Sequence, residues 1–244
     1  MSPPEPRLPR AMLIDLDDTI IVAGDRPAVL AQIAGELAAE LAPHPPGEIA
    51  ARLEAALEAF WSDPARHRAA RFGIPEARRQ VMVECFTDLA SPVLTAGLAA
   101  RFSARFSEVR EAITTCFPGA VEGLEGLRAR GVRLALITNG SAATQRAKIE
   151  RFDLARHFDH IQIEGEVGFG KPEEQAYRHA LAALGVEAHE AWIVGDNLEW
   201  EVAVPQRLGL RGVWCDGFGR GLPAGSAVRP DRIIRSLAEL VGEG

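Results

Sequence analysis

The stretch MLIDLDDTII, residues 12–21, sets Asp15, Asp17 and Asp18 at the end of an apolar run. Desolvating one carboxylate is costly and crowding three adds repulsion, so their placement calls for a chemical reason. Two neighbouring carboxylates can divide a reaction between them, one attacking and the other moving protons. Polar residues end three further apolar stretches: Thr138-Asn139-Gly140, Lys171-Pro172 and Gly195-Asp196-Asn197. A lysine and a hydroxyl, with nearby backbone N–H groups, can bind an anion such as phosphate. Singly, each place has an ordinary explanation as a turn, a helix cap or a solvated loop. Their order at successive strand ends gives them joint weight, because ligands of open α/β sheets bind beyond the carboxyl ends of the strands.

The elements that must position these residues follow from the apolar pattern. Runs at 11–15, 132–138, 160–163, 191–196 and 212–215 read as buried parallel strands. Helical patterns lie between them at 120–130, 142–152, 173–184 and near 199–208, three of them followed by Gly131, Gly185 and Gly209. Alternating strands and helices mean an α/β fold with a parallel sheet. The segment after the first strand breaks this rhythm. Its apolar residues recur every three or four positions, as in Leu30, Ile33, Leu37 and Leu41; Ile49, Leu53, Leu57 and Trp61; and Leu94, Leu98, Phe102 and Phe106. An all-helical insertion is expected there, with Phe60, Trp61, Phe102 and Phe106 in its core.

With these motifs in order over nearly all residues after Arg10, the chain resembles the haloacid dehalogenase superfamily, in its phosphatase branch with a helical cap inserted after the first strand. The resemblance implies a Rossmann-like core at residues 1–21 and 118–244, flanked by helices, and a cap at 22–117. It implies that Asp15 is the nucleophile and Asp17 the general acid and base. Thr138 and Lys171 become phosphate ligands, with Asn139 beside them in the substrate site, and Asp196 a magnesium ligand. The ion would be shared by Asp15, the carbonyl of Asp17, Asp196 and the substrate phosphate, since magnesium takes oxygen ligands in a nearly octahedral shell. Such a cation, with Lys171, offsets the repulsion between an attacking carboxylate and a phosphate, on the order of 4 kcal/mol per unit pair at ~4 Å in a moderately screened site. The expected activity is hydrolysis of a small phosphorylated metabolite through an aspartyl-phosphate. The family most often has aspartate five residues after the fourth-motif acid, where this chain has Glu201. Glu201 could touch the ion directly, hold one of its waters or be a solvated helix residue, and the water-holding place is the one expected. Asp18 and Thr19 are expected to fix the turn by local side-chain to backbone hydrogen bonds.

Other classes fit less well. The net charge of -7 argues against a nucleic-acid partner. The polar, proline-rich start and the run broken at Asp15 argue against a signal sequence or membrane span, and widely spaced Cys85, Cys116 and Cys215 suit reduced thiols, so a cytoplasmic location is expected. The segment 165–172 nearly spells a nucleotide phosphate loop, but Pro172 stands where its magnesium-binding hydroxyl belongs. A carbon-halogen hydrolase is the nearer alternative, although a halide leaving group needs no proton and would leave Asp17 superfluous. A non-enzymatic signalling module phosphorylated on Asp would need no helical insertion. Arg66, His67, Arg68 and Arg71 read as a solvated helix face. The sequence leaves the metabolite and the oligomeric state open.

Overall fold

The computed structural model describes residues 8–242, so most of the proline-rich start lies outside the described residues. By its internal contacts the chain divides into two compact units, one of residues 1–22 and 116–244 and one of residues 23–115.

The first unit is built on a six-stranded parallel sheet of β1 (Ala11–Ile14), β4 (Arg133–Thr138), β5 (His160–Ile163), β6 (Ala191–Gly195), β7 (Arg211–Cys215) and β8 (Arg232–Ile234), in the order β5-β4-β1-β6-β7-β8. The two-residue strands β2 (Ile21–Val22) and β3 (Thr115–Cys116) lie outside it. All four residues of β1 are buried, because both faces of the sheet are covered. Alternation assigns Met12, Ile14, Leu134, Leu136, Trp192 and Val194 to one apolar cluster, and Ala11, Leu13, Ala135, Ile137, Ala191 and Ile193 to the other. The strand order reverses at β1, which has β4 on one side and β6 on the other. That reversal opens a crevice beyond the carboxyl ends of β1, β4 and β6, where Asp15, Asn139 and Asp196 begin the following loops.

Helices α7 (Ala120–Ala129), α8 (Ala142–Arg151), α9 (Glu164–Val167), α10 (Glu174–Leu184) and α11 (Val204–Arg207) join the strands. The stretch expected as one helix near 199–208 is instead a π-helical turn, Leu198–Ala203, followed by α11. Pro205 accounts for the change: it lacks the N–H that a continuous helix needs and sits in the first turn of α11, where that loss is harmless. The short strand β8 has no counterpart in the apolar pattern. Among the described residues, no helix is long and apolar enough to cross a membrane, and none of the three cysteines forms a disulfide.

The second unit contains α1 (Arg26–Glu36), α2 (Ala38–Leu41), α3 (Pro46–Trp61), α4 (Pro64–Ala70), α5 (Ile74–Asp88) and α6 (Ala96–Ile113) around its own apolar core. Leu30, Ile33, Leu53, Leu57, Phe102 and Phe106 are fully buried in it, while Phe60 and Trp61 are only partly covered. Asp25 caps α1 by accepting from the Ala28 N–H, and Thr95 caps α6 by accepting from that of Leu98. Arg26 ties α1 to α3 with hydrogen bonds to Glu54 and Glu58. Arg66 pairs with Asp63 on an open surface.

Candidate active site

Asp15 continues β1 by one residue, its N–H donating to the Val194 carbonyl at 2.9 Å, and this ladder bond aims its carboxylate into the crevice. The chain then turns sharply. Asp18 takes a left-handed backbone conformation at φ 56°, which aspartate tolerates better than most residues, and its N–H donates to the Ile21 carbonyl at 2.7 Å. The Thr19 hydroxyl reaches the Asp15 Oδ2 at 3.4 Å, so its side-chain bond is to that carboxylate rather than to the backbone expected from sequence.

Lys171, 1% exposed, places Nζ 2.5 Å from Asp15 Oδ1 and 2.7 Å from Glu201 Oε1. Burial alone would lower the pKa of this ammonium, but Asp15 and Glu201 outweigh it and hold the pKa above the ordinary lysine range. Asp15 is displaced upward, chiefly by burial, with Lys171 opposing and Asp17 adding to the rise. The backbone of Lys171 is pinned on both sides. Its N–H donates to Asn139 Oδ1 at 2.8 Å, and its carbonyl accepts from Asn139 Nδ2 at 2.6 Å. Asn139, expected in the substrate site, therefore spends its amide on holding the lysine loop. Gly170 is required beside it, because a Cβ there would lie 2.6 Å from Asn139 Oδ1 and from the buried Glu164 carboxylate carbon.

Glu201 has a partner that the sequence reading does not assign. It is 1% exposed, lies against Lys171 and accepts from the Asn197 N–H through Oε2 at 2.9 Å. It is not a solvated helix residue: an ammonium and a backbone amide engage its two oxygens, one donor each, and each oxygen keeps a further lone pair. The π-helical turn makes this possible: Asn197 caps it by accepting from the Glu199 and Trp200 N–H groups, and the wide turn leads Glu201 back toward the end of β6. Gly195 leaves the space that Glu201 fills, since a Cβ there would overlap the Glu201 side chain. Gly195→Ala is expected to force Glu201 away from Lys171 and destabilise the protein by about 1–3 kcal/mol. A thermal melt reads the effect, and an unchanged midpoint would show that the pair tolerates displacement.

Asp196 stands at the open end of β6, its carbonyl accepting from the Trp214 indole N–H at 2.7 Å. Although solvent reaches it, the surrounding protein raises its pKa well above the aspartate range, and the carboxylates of Asp15, Glu201 and Asp18 add to the rise against Lys171. At Asp196 three further carboxylates thus act against one ammonium, and the excess negative charge suits a further cation. Asp15 Oδ1 is engaged by Lys171 and Oδ2 takes a long contact from Thr19, and a carboxylate with these donors, together with the Leu16 backbone N–H, still has lone pairs to offer. Among the described residues, no three His, Cys, Asp or Glu residues form a ready cluster for a metal. A set of two carboxylates, Asp15 and Asp196, completed by the Asp17 carbonyl, asks for no third acidic side chain; it is an all-oxygen set of the kind that hard cations take.

Thr138 ends β4 and is buried, and Asp17 is about half exposed on the turn after β1. Two residues of α8 that the motif reading leaves out join them: Gln145 hydrogen-bonds both, and Lys148 pairs with Asp17 at 2.7 Å. Their spacing of three just after Thr138-Asn139-Gly140 sets them on one helix face, a signal that the sequence does carry.

A family model described as haloacid dehalogenase-like hydrolase matches residues 9–209. The chain belongs to that family. Among curated relatives, the phosphoserine phosphatase of Thermus thermophilus is 37% identical over 183 residues, covering 75% of this chain and 66% of that protein, slightly less than two thirds of its length. Among solved structures, a HAD-hydrolase from Bacillus subtilis bound to magnesium superposes with a TM-score of 0.71 at 19% identity, covering 96% of this chain and 97% of that one. The L-2-haloacid dehalogenase RSc1362 superposes with a TM-score of 0.66 at 19% identity over 97% and 98% of the two chains. At these identities the structural likeness establishes the Rossmann-like haloacid dehalogenase fold, which phosphatases and dehalogenases share.

Proposed function

We propose that this chain is a magnesium-dependent phosphatase that hydrolyses a small phosphorylated metabolite through an aspartyl-phosphate on Asp15. The observation that carries the reading is the pairing of Asp15 with Lys171 at 2.5 Å, together with a second carboxylate, Asp17, held two residues later by its own donors. In the first step a carboxylate oxygen of Asp15 forms a bond to phosphorus as the bond to the leaving oxygen breaks, and Asp17 gives that oxygen its proton. In the second, Asp17 takes a proton from water as the water oxygen attacks phosphorus, releasing phosphate and restoring Asp15. Lys171 and the Thr138 hydroxyl bind phosphate oxygens, and Asp15, Asp196 and the Asp17 carbonyl would hold magnesium. Bound there, magnesium supplies positive charge that offsets the repulsion between carboxylate and phosphate. The relatives named phosphatases support phosphoryl chemistry, and Asp17 favours it over carbon-halogen hydrolysis.

The direct test is phosphate release from sugar phosphates, nucleoside monophosphates, phosphoserine and phosphoglycolate, in magnesium and in EDTA. Magnesium-restored turnover of at least one ester is expected. Halide release from 2-haloacids with no phosphate release from any ester would overturn the reading. For Asp17→Asn, the expected loss is about 10²–10⁴-fold on alkyl phosphates and much smaller on nitrophenyl phosphate, whose leaving oxygen needs little protonation. Equal losses on the two substrates would remove Asp17 from the proton-transfer role.

A further inference from the structure

Gln145 is 2% exposed, and its whole amide is engaged by groups at the candidate site. Nε2 lies 2.8 Å from Asp17 Oδ2 and 2.6 Å from Thr138 Oγ1, and Oε1 accepts from Lys148 Nζ at 2.9 Å. Lys148 also donates to Asp17 Oδ1 at 2.7 Å. An ammonium only donates, so the amide oxygen must be the atom that faces Lys148; the two amide hydrogens then point at Asp17 and Thr138, one each. The ring Asp17–Gln145–Lys148 is closed, with both residues of the helix supplied from one face of α8, three positions apart.

The arrangement has a consequence at Thr138. Its Oγ1 already accepts from Gln145, so its own hydrogen must find another acceptor, and among the described residues that acceptor is the Asn139 carbonyl at a long 3.4 Å. A phosphate oxygen arriving in the crevice is a shorter-range and charged alternative. At Asp17, the two donors fix the rotamer of a half-exposed side chain, while each carboxylate oxygen keeps a lone pair for a proton. A solvated Gln or Lys on a helix face would do neither.

We propose that Gln145 and Lys148 are positioning residues that hold the Asp17 carboxylate and the Thr138 hydroxyl in register, so that proton transfer and phosphate binding act on the same substrate. This rests on the reading of Asp17 and Thr138 given above. Neither residue is assigned a bond to the substrate; they act by limiting where Asp17 and Thr138 point, and misplacing a reacting group by about 1 Å costs on the order of 10²-fold.

The test compares Gln145→Met, which keeps the shape and removes the hydrogen bonds, with Lys148→Met and the conservative Lys148→Arg. Steady-state rates are measured on an alkyl phosphate and on nitrophenyl phosphate, alongside inhibition by inorganic phosphate and a thermal melt. Both methionine variants are expected to lower kcat on the alkyl ester by about 10- to 100-fold with little change in KM, and to lower it less on the nitrophenyl ester. Gln145→Met alone should weaken inhibition by phosphate about two- to tenfold, because only it frees the Thr138 hydroxyl. Lys148→Arg should recover most of the alkyl-ester rate. In an Asp17→Asn background, neither methionine change should add a leaving-group-dependent loss. Should Gln145→Met fail to fold, the partly exposed Lys148 supplies the same comparison. Equal losses on the two esters, or losses undiminished without Asp17, would overturn the positioning role. If Asp17→Asn is selectively impaired and the methionine variants are not, the positioning proposal alone falls; if Asp17→Asn turns over alkyl esters normally, the acid-base reading falls with it.

Discussion

The Asp15→Asn variant is expected to fold as the unchanged chain does and to lose phosphate release by at least about 10³-fold, since an amide cannot form the covalent intermediate on which both steps depend. The amide keeps the shape of the carboxylate and can still accept from Lys171. Burial already works against the charged form of Asp15, so removing that charge costs the fold little. Lys171 retains Glu201 at 2.7 Å and is not left as an unpaired buried cation. Activity and stability therefore separate at this position, which makes the variant decisive. Circular dichroism and a melt midpoint within a few degrees of the parent establish folding, and phosphate release establishes the chemistry. A folded Asp15→Asn variant keeping more than a few per cent of the rate would take the nucleophile role away from Asp15.

The parts of this protein that are legible in its sequence are those set by simple periodicity. The runs ending at Asp15, Thr138 and Asp196 read as strands because both faces of the sheet are covered and leave no polar alternation, and the parallel α/β sheet follows from the helices between them. The edge strand β8, three residues of Arg-Ile-Ile with Ile233 exposed, has no such run. Glu201 escapes the sequence for a different reason. On a regular helix its direction is not fixed by residue type, whereas here Pro205 breaks the helix, the preceding turn widens and Gly195 vacates the space, so Glu201 reaches the buried lysine. Each of these features is visible in the sequence, but their joint effect depends on backbone geometry that residue types do not specify. Gln145 and Lys148 escape it because polar residues on a helix ordinarily mean solvent, and only the position of α8 against the end of β4 distinguishes them.

Lys171→Met is the variant expected to damage both stability and chemistry, and the two effects have separate causes. Asp15 and Glu201 meet at this ammonium in the interior; without it they remain as buried carboxylates, each already displaced upward in pKa by burial. Breaking a buried pair by removing one partner typically costs about 3–5 kcal/mol, which for a chain of this size lowers a melting midpoint by roughly 6–20 °C. The chemical loss is independent of that. A fixed positive charge beside the negatively charged phosphoryl oxygens of the transition state contributes on the order of 10²–10³-fold in rate. The double variant Lys171→Met with Glu201→Gln tells the two apart, because it removes one stranded carboxylate along with the cation. Much of the lost stability should return, as expected for two sites in direct contact whose effects do not add, while the rate stays low. Recovery of both in the double variant would make Lys171 a purely structural counter-ion to Glu201. Recovery of neither would place the stabilising contact chiefly between Lys171 and Asp15, and the further addition of Asp15→Asn should then restore the fold without restoring turnover.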